Sequence, residues 1–430
     1  METESGDNGL TGGTAYMNNI KKPIFILLVI PILLMIASCQ SSSPSISGGE
    51  EDDPINMPGE NVPANIQEDG DPTDTPEEDY PANIQEGDDL YAILDKNLLD
   101  EMRREVLGIG EDEEIDYELF KSITEITIEN NKGETEYNLG IHEQPPLTYH
   151  IQDISYLILF ENVSLVQIYD VPITTIPDLT VLKKLNILLF SGCDVQSIDG
   201  LKNLKNITHL SIYNSTPNAV HIEDLYKIGN LGNLTEFFVR NALINDDDIA
   251  FLATDCPVSN SLERIDLGGN MLTSLAPFAD MPKLRGIDCG FNKIGTPYIA
   301  TNSQLANSLS VLTLDGNDIS NLEDLSHLKK LHLLSVAWNN IKVFDIEKSS
   351  RIYDTLRYLI INGNELETLD RIIDLENLWE LAIMSNSSLD LNQLKDAKFL
   401  DSLQKIYLDE NAIIDEELLN RLPVRYSYPE

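Results

Sequence analysis

Residue types that commonly carry chemistry are sparse in this 430-residue chain, which has 4 Cys and 6 His. The cysteines, Cys39, Cys193, Cys256 and Cys289, stand far apart, with no CxxC pair and no histidine at metal-ligand spacing. No GxSxG, HExxH or P-loop pattern occurs in the sequence. We therefore expect no enzyme, no metal and no cofactor. We also expect the last three cysteines to behave as small buried apolar residues.

A run of three carboxylates at positions 246–248 at first suggests calcium binding. Calcium loops, however, alternate ligands with spacer residues and contain a glycine at the sharp turn, and this run shows neither feature. Acidic side chains are also favoured at the N-cap and in the first turn of a helix. The run therefore predicts the start of a short helix with the sequence DDDIAFLA.

Charge excludes some partners. The 72 acidic side chains outnumber the 29 basic ones, which gives a formal net charge of −43. Nucleic-acid phosphates and anionic lipid surfaces both attract basic proteins, so we expect neither as an electrostatic partner. Residues 40–95 contain no Lys or Arg, and an acidic segment of this kind stays solvated.

The N-terminal segment has the pattern of a targeting signal. From Met17 onward, Lys21 and Lys22 precede an apolar run that ends in Ile-Ala-Ser before Cys39. The run is about fifteen residues long and falls short of the ~20 that cross a bilayer. It resembles the bacterial lipoprotein signal peptide, which implies that Cys39 is acylated and becomes the mature N-terminus. The alternative is an uncleaved signal anchor.

One sequence pattern, LxxLxLxxNxL, recurs from about residue 123 to the end of the chain. The spacing between its asparagines alternates between 22 and 25 residues in the clearest copies, which are at Asn270, Asn292, Asn317, Asn339, Asn364, Asn386 and Asn411. Projected backward, the same position falls on Ala242, Ser215, Cys193, Val171 and Asn131. A degenerate turn near Tyr149 brings the predicted total to about thirteen.

Each part of the pattern has a physical role. The alternating LxL predicts a short strand with two side chains pointing inward, and the asparagine amide can satisfy backbone groups in the turn that follows. Apolar residues at every third position on the return path suit a 3₁₀ or short helical back wall. A single turn cannot bury its apolar face, so the turns must stack. The sequence predicts an α/β repeat solenoid.

These residues resemble the leucine-rich repeat, and the 22-residue form resembles the internalin-like class of bacterial surface proteins. The resemblance implies a horseshoe with a parallel β concave face and a convex face of 3₁₀ and short helices. It also implies a helical N-cap before the first strand and a protein or glycan partner at a cell surface. The predicted organisation is an over-extended start (1–16), a lipoprotein signal peptide (17–38), a disordered acidic tether (39–89), the N-cap (90–122) and the repeat domain (123–430).

The repeat register predicts which strand side chains face outward and could contact a ligand. An early apolar patch spans residues 165–238, an acidic, glycine-bordered middle spans 266–315, and a late aromatic patch spans 338–407. A register slip of one residue in the early turns would turn Leu165 and Ile187 inward. The predicted ligand-binding residues are Trp338, Tyr358, Ile360, Tyr407, Phe291, Tyr213, Phe238 and Tyr169.

The resulting functional expectation is a lipid-anchored surface protein, facing the cell exterior from the cell membrane or outer membrane. It would bind a protein or glycan through the concave face, as an adhesin does, and would be monomeric. The alternative is a periplasm-facing lipoprotein that acts as a scaffold for envelope components.

Overall fold

The computed structural model describes residues 121–131, 134–138, 147–149, 154–215, 225–253 and 256–426. These residues belong to one compact unit, Glu78–Glu430. The predicted start segment, signal peptide with Cys39, acidic tether and nearly all of the helical N-cap lie outside the described residues.

The described residues form one 15-stranded sheet, which is not closed. The strands are β1 Glu125–Asn131, β2 Glu134–Asn138, β3 Leu147–Tyr149, β4 Leu165–Tyr169, β5 Ile187–Cys193, β6 His209–Asn214, β7 Glu236–Arg240, β8 Arg264–Asp266, β9 Gly286–Asp288, β10 Val311–Thr313, β11 Leu333–Ser335, β12 Tyr358–Ile360, β13 Glu380–Ala382, β14 Lys405–Tyr407 and β15 Val424–Tyr426.

Most return segments contain a short helix, as the three-residue apolar spacing predicts, although the described segment between β4 and β5 contains none. The α-helices are α1 Asp246–Ala253, α2 Gln304–Ser308, α3 Ile352–Thr355 and α4 Glu416–Arg421. The 3₁₀ helices are Ser155–Leu159, Asp199–Leu201, Leu225–Asn230, Pro257–Asn260, Ala276–Phe278, Glu323–Leu325, Ile372–Asp374 and Leu391–Asp396. None of the described helices is long and apolar enough to cross a membrane.

The sheet order corrects the prediction for the first turns. Strand β1 pairs directly with β4 in parallel, and the parallel order then continues through β15. Strands β2 and β3 instead form antiparallel pairs at the β1 end of the sheet. The predicted repeat turn near Tyr149 is therefore wrong, because that tyrosine belongs to an antiparallel strand. At the opposite end of the sheet, β15 pairs in parallel with β14 and adds a strand beyond the last predicted repeat.

The burial pattern confirms the predicted inward and outward positions in β4, β5 and β12. In β4, Val166 and Ile168 are buried while Leu165 is only partly buried, and the pattern in β5 is the same. In β12, Leu359 is fully buried between two partly exposed neighbours. The apolar side chains of successive turns thus form one continuous core, as the stacking of repeat turns requires.

Buried asparagines join consecutive turns. Asn292 Oδ1 accepts a hydrogen bond from Leu272 N at 2.9 Å, and its Nδ2 donates to Leu267 O and Cys289 O at 2.9 and 3.0 Å. Equivalent buried contacts are made by Asn270, Asn317, Asn339, Asn364 and Asn386. Asn411, at the last predicted position, is exposed.

The predicted asparagine position at Ser215 is wrong. Ser215 is exposed, whereas the neighbouring Asn214 is buried and accepts from Val195 N at 3.0 Å. The register shifts at Gly192, where a bulge in β5 pairs Cys193 with Asn214. Two residues separate Phe190 from Cys193, as in the other turns, whereas only Tyr213 separates Ile212 from Asn214. Strand β6 therefore reaches the slot one residue earlier than the repeat spacing predicts.

The structure confirms the predicted helix after residue 245 and corrects its cap. Asn245, rather than Asp246, caps α1, because its Oδ1 accepts from the backbone N of Asp247 and Asp248 at 2.9 and 3.3 Å. The Asp246 carboxylate instead accepts from Thr273 N at 3.0 Å. Asp246 therefore fixes the helix to the next turn.

Two of the three described cysteines behave as expected. Cys193 and Cys289 are fully buried, and burial raises the pKa of the Cys193 thiol to about 11. Cys193 fills an asparagine position, with its Sγ 3.8 Å from Ile168 O. Cys256, which directly precedes the 3₁₀ helix Pro257–Asn260, packs against the core but is only partly buried, so it is less buried than predicted.

Candidate binding face

The eight predicted ligand-binding residues lie on or beside the parallel strands, as the register requires. Phe291 and Trp338 are about half exposed, at 50% and 53%. The other six are partly buried: Tyr169, Tyr213, Phe238, Tyr358, Ile360 and Tyr407. We call the outward side of strands β4–β14 the strand face.

Phe291 and Trp338 have an unusual backbone conformation. Both have a φ of +55°, in the left-handed region that L-residues other than Asn, Asp and Gly rarely adopt. Each directly precedes a buried asparagine, and the equivalent position in other turns also has positive φ, at Asp170, Gly192, Asn241, Gly269, Gly316, Gly363 and Ser385. This row lies at the carboxyl edge of the strands, and we call it the carboxyl-edge row.

Aromatic residues alternate with glycines along part of this row. The Phe291 ring lies so close to Gly316 that a Cβ there would be 2.7 Å from its Cδ1. The Trp338 ring lies over Gly363, where a Cβ would be 2.3 Å from Cε3. Glycine is required at these two positions by both the positive φ and the ring above it. Each aromatic side chain thus leans across the next turn and remains exposed.

A second aromatic pair lies at the amino end of the same strands. Tyr358 and Trp379 form an edge-to-face pair with ring centroids 6.1 Å apart, and the Arg357 guanidinium lies 5.7 Å from the Trp379 ring centroid. Trp379 is 42% exposed and is not among the predicted site residues. It directly precedes β13, outside the LxL positions on which the prediction relies.

These positions divide the predicted late aromatic patch. The backbone N of Trp338 donates to Asn362 O, four residues beyond Tyr358. At about 3.3 Å per residue, Trp338 and Tyr358 are therefore roughly 13 Å apart along the strand direction. Along the strand direction, Ile360 lies between Tyr358 and the position of Trp338. It aligns with Tyr407 across the sheet, with the small Ala382 on the strand between them. The patch has two aromatic ends rather than one cluster.

The early patch is less apolar than its sequence suggests. The Tyr213 ring centroid lies 5.6 Å from the Arg240 guanidinium, and burial raises the pKa of the phenol. Gln167 Nε2 donates to Tyr169 Oη at 3.0 Å. Phe238 aligns across the sheet with Asp266. Polar contacts therefore surround these aromatic side chains.

A basic side chain from β7, that of Arg240, reaches into the predicted acidic middle. Arg240 Nε donates to both carboxylate oxygens of Asp266 at 2.8 Å, and Nη2 donates to Asp288 Oδ2 at 3.0 Å. The guanidinium lies over Gly268, where a Cβ would be 3.3 Å from Nε. A second pair, Arg264 with Glu236, lies at the amino end of β7 and β8.

Two carboxylates of this region, Asp288 and Asp315, have raised pKa values. Burial and the nearby Asp266 raise the pKa of Asp288 to about 8, although Arg240 acts in the opposite direction. Burial also raises the pKa of Asp315 to about 6, while hydrogen bonds from Ser335 and Ala337 favour its ionised form. Across the described ranges, no group of three His, Cys, Asp or Glu residues is arranged to hold a metal ion.

Comparison with solved structures identifies the fold. An internalin, InlF, from Listeria monocytogenes is similar over 76% of this chain and 93% of its own, with a TM-score of 0.55 and 20% identity. The fold is a leucine-rich-repeat solenoid. A second internalin, InlC2, from the same species matches 49% of this chain and 76% of its own, with a TM-score of 0.32 and 21% identity.

The structural likeness confirms the predicted solenoid and, at the level of fold, the predicted resemblance to internalins. No family model and no curated protein matches this sequence.

Proposed function

We propose that this leucine-rich-repeat protein binds a protein partner through its strand face and carboxyl-edge row. The observation that carries the proposal is the pair of exposed aromatic residues at positive φ, Phe291 and Trp338. A non-glycine residue in a sparsely populated backbone region costs on the order of 1–3 kcal/mol. Stability alone does not account for these side chains, whereas aromatic anchors are enriched at binding hot spots.

The remaining geometry supports a large ligand. The two aromatic ends of the late patch are separated along the strands, and the Arg240 network lies on the same face, several turns earlier. A protein partner can contact apolar, aromatic and charged groups over such an area at once. The described residues hold no metal-ligand group, and the sequence contains none of the catalytic motifs considered above.

The test compares Trp338→Asn and Phe291→Asn with the parent. Asparagine tolerates positive φ, so each variant should be at least as stable as the parent in a denaturant melt. Capture of partners from host cell-surface and extracellular-matrix fractions should weaken, with a loss of about 2 kcal/mol of binding for a central anchor. Periodate treatment of the captured fraction would identify a glycan ligand.

Tyr226→Ala is the matched control, because this tyrosine is 53% exposed but lies on a 3₁₀ return helix. It should leave capture unchanged. Equal capture by the parent and by both asparagine variants would contradict the proposed site.

The same proposal includes display on the cell exterior by a lipid on Cys39, with adhesion as the role and a monomer as the functional form. The Ile-Ala-Ser-Cys39 ending and the acidic segment after it support this proposal. Protease added to intact cells should remove the solenoid. Protection from protease would instead favour the periplasm-facing scaffold.

A further inference from the structure

Three consecutive turns place a carboxylate between two aromatic residues at the carboxyl edge. Phe291 N donates to Asp315 O at 2.7 Å, and Ala337 N donates to Asp315 Oδ1 at 2.8 Å. Gly316 N donates to Ala337 O at 2.8 Å. Asp315 is therefore bonded on one side to the turn of Phe291 and on the other to the turn of Trp338. We call these five residues the edge slot.

The slot has a small floor and two aromatic sides. Ala337 forms the floor, because the Phe291 ring lies over Gly316 on one side of it and the Trp338 ring lies over Gly363 on the other. Gly316 and Gly363, the glycines beneath the two rings, are two strand spacings apart, which is about 10 Å. A group at the centre would lie within about 6 Å of both rings, the distance at which a cation is attracted to an aromatic face.

The carboxylate is oriented by neutral donors. Asp315 Oδ1 accepts from Ser335 Oγ at 2.6 Å as well as from Ala337 N, and in the described chain these are its side-chain hydrogen bonds. The nearest guanidinium network, that of Arg240, pairs with Asp266 and Asp288 instead. Asp315 Oδ2 is thus left to accept from a ligand.

We propose that the edge slot binds an arginine or lysine side chain of the protein partner, an inference that rests on the proposed function. The cation would pair with Asp315 while contacting the Phe291 and Trp338 rings. An apolar side chain fits less well, because it would cover the carboxylate without giving it a hydrogen bond. The net charge of −43 also favours a basic partner, since it steers cationic surfaces toward this chain.

The two tryptophans of the chain allow a local measurement. Trp379→Phe leaves Trp338 as the sole tryptophan of the full chain, because the sequence has 2 Trp. The probe is a capped tetra-arginine peptide, and the control probe is the matched tetra-citrulline peptide, which has the same shape without charge. The arginine peptide should change Trp338 fluorescence saturably, and the citrulline peptide should not. Peptide that binds only elsewhere on the acidic chain would leave Trp338 unaffected and would contradict the inference.

The matched variant is Asp315→Asn in the same background. Its amide oxygen can still accept from Ser335 and Ala337, so the slot should keep its shape while losing its charge. We expect at least tenfold weaker peptide binding. An unchanged affinity, or an equal response to citrulline, would overturn the inference.

Binding should also depend on pH. The charged or ionisable group facing Asp315 from β9 is Asp288. Ser335 of β11 and Ala337, two residues further along, contribute neutral hydrogen bonds. Burial raises the pKa of Asp315 to about 6, so peptide affinity should fall as the pH drops through that value. The Asp315→Asn variant should lack this step, and a step of equal size in that variant would contradict the assignment.

Partner capture and peptide binding together distinguish a failure of the cation inference from a failure of the proposed function. If Trp338→Asn abolishes capture of the natural partner while Asp315→Asn changes neither capture nor peptide binding, the cation inference fails and the proposed function stands. If Asp315→Asn weakens peptide binding but neither aromatic variant affects capture, the slot binds cations and the proposed function fails.

Discussion

Neighbouring residues on β12 have opposite environments. Leu359 is fully buried, whereas Tyr358 is partly exposed and pairs edge-to-face with Trp379. Truncating a buried leucine leaves a cavity, so Leu359→Ala should lower the free energy of unfolding by about 2–5 kcal/mol. Tyr358→Ala loses mainly one aromatic contact and should cost about 1 kcal/mol.

Denaturant melts of both variants test the register, and partner capture by Tyr358→Ala tests the amino-end aromatic pair. A silent Leu359→Ala combined with an unfolded Tyr358→Ala would contradict the strand register itself.

Asp288 should make stability depend on pH in the opposite direction from an ordinary ion-paired carboxylate. Its pKa is raised from 3.8 to about 8, so the folded state holds a proton that the unfolded state releases. The free energy of unfolding should therefore decrease as pH rises from about 4 to 8. A tenfold difference in proton affinity between the folded and unfolded states corresponds to about 1.4 kcal/mol.

Asp288→Asn is the variant that isolates this effect. Thermal melts between pH 5 and 9 should show the variant gaining stability relative to the parent as pH rises. A constant difference between the two proteins would show that Asp288 does not retain its proton on folding.

At the scale of the elements, the buried asparagines connect each turn to its neighbours. Asn317 Oδ1 accepts from Ile294 N at 2.9 Å, and its Nδ2 donates to Cys289 O and Leu314 O at 2.9 and 3.0 Å. Asn317→Ala should cost about 2–4 kcal/mol, because it leaves buried backbone groups without partners. Asn411→Ala is the control, since that asparagine is exposed and should be nearly neutral.

Denaturant melts compare these two variants directly. If both variants lost the same small amount of unfolding free energy, the buried asparagines would contribute little to stability. Apolar stacking alone would then determine the stability of the repeat.

At the scale of the whole molecule, the proposed anchor can be tested apart from the fold. Cys39→Ala should move the protein from the membrane fraction to the soluble fraction, because stable attachment requires acyl chains on that residue. Its melting curve should match that of the parent, since the solenoid core lies in residues 123–418. Retention in membranes after a carbonate wash would contradict the lipoprotein prediction and favour an uncleaved anchor.

Much of the solenoid follows from the sequence alone, because each turn repeats the same local requirements. The alternating apolar residues determine which strand side chains enter the core, and the structure confirms this for Leu359 and for the early strand β4. The asparagine positions are readable for the same reason. The pattern fails where a turn departs from the period, as in β6, where a single residue separates the buried Ile212 from the buried Asn214.

The tertiary structure decides how side chains from different turns combine. Positive φ at Phe291 and Trp338, and their placement over Gly316 and Gly363, depend on backbone paths one turn apart. Stacking also brings Arg240 to Asp288, which lies 48 residues further along the chain. A repeat pattern specifies each turn by its own sequence, whereas a surface is formed by the contacts between turns.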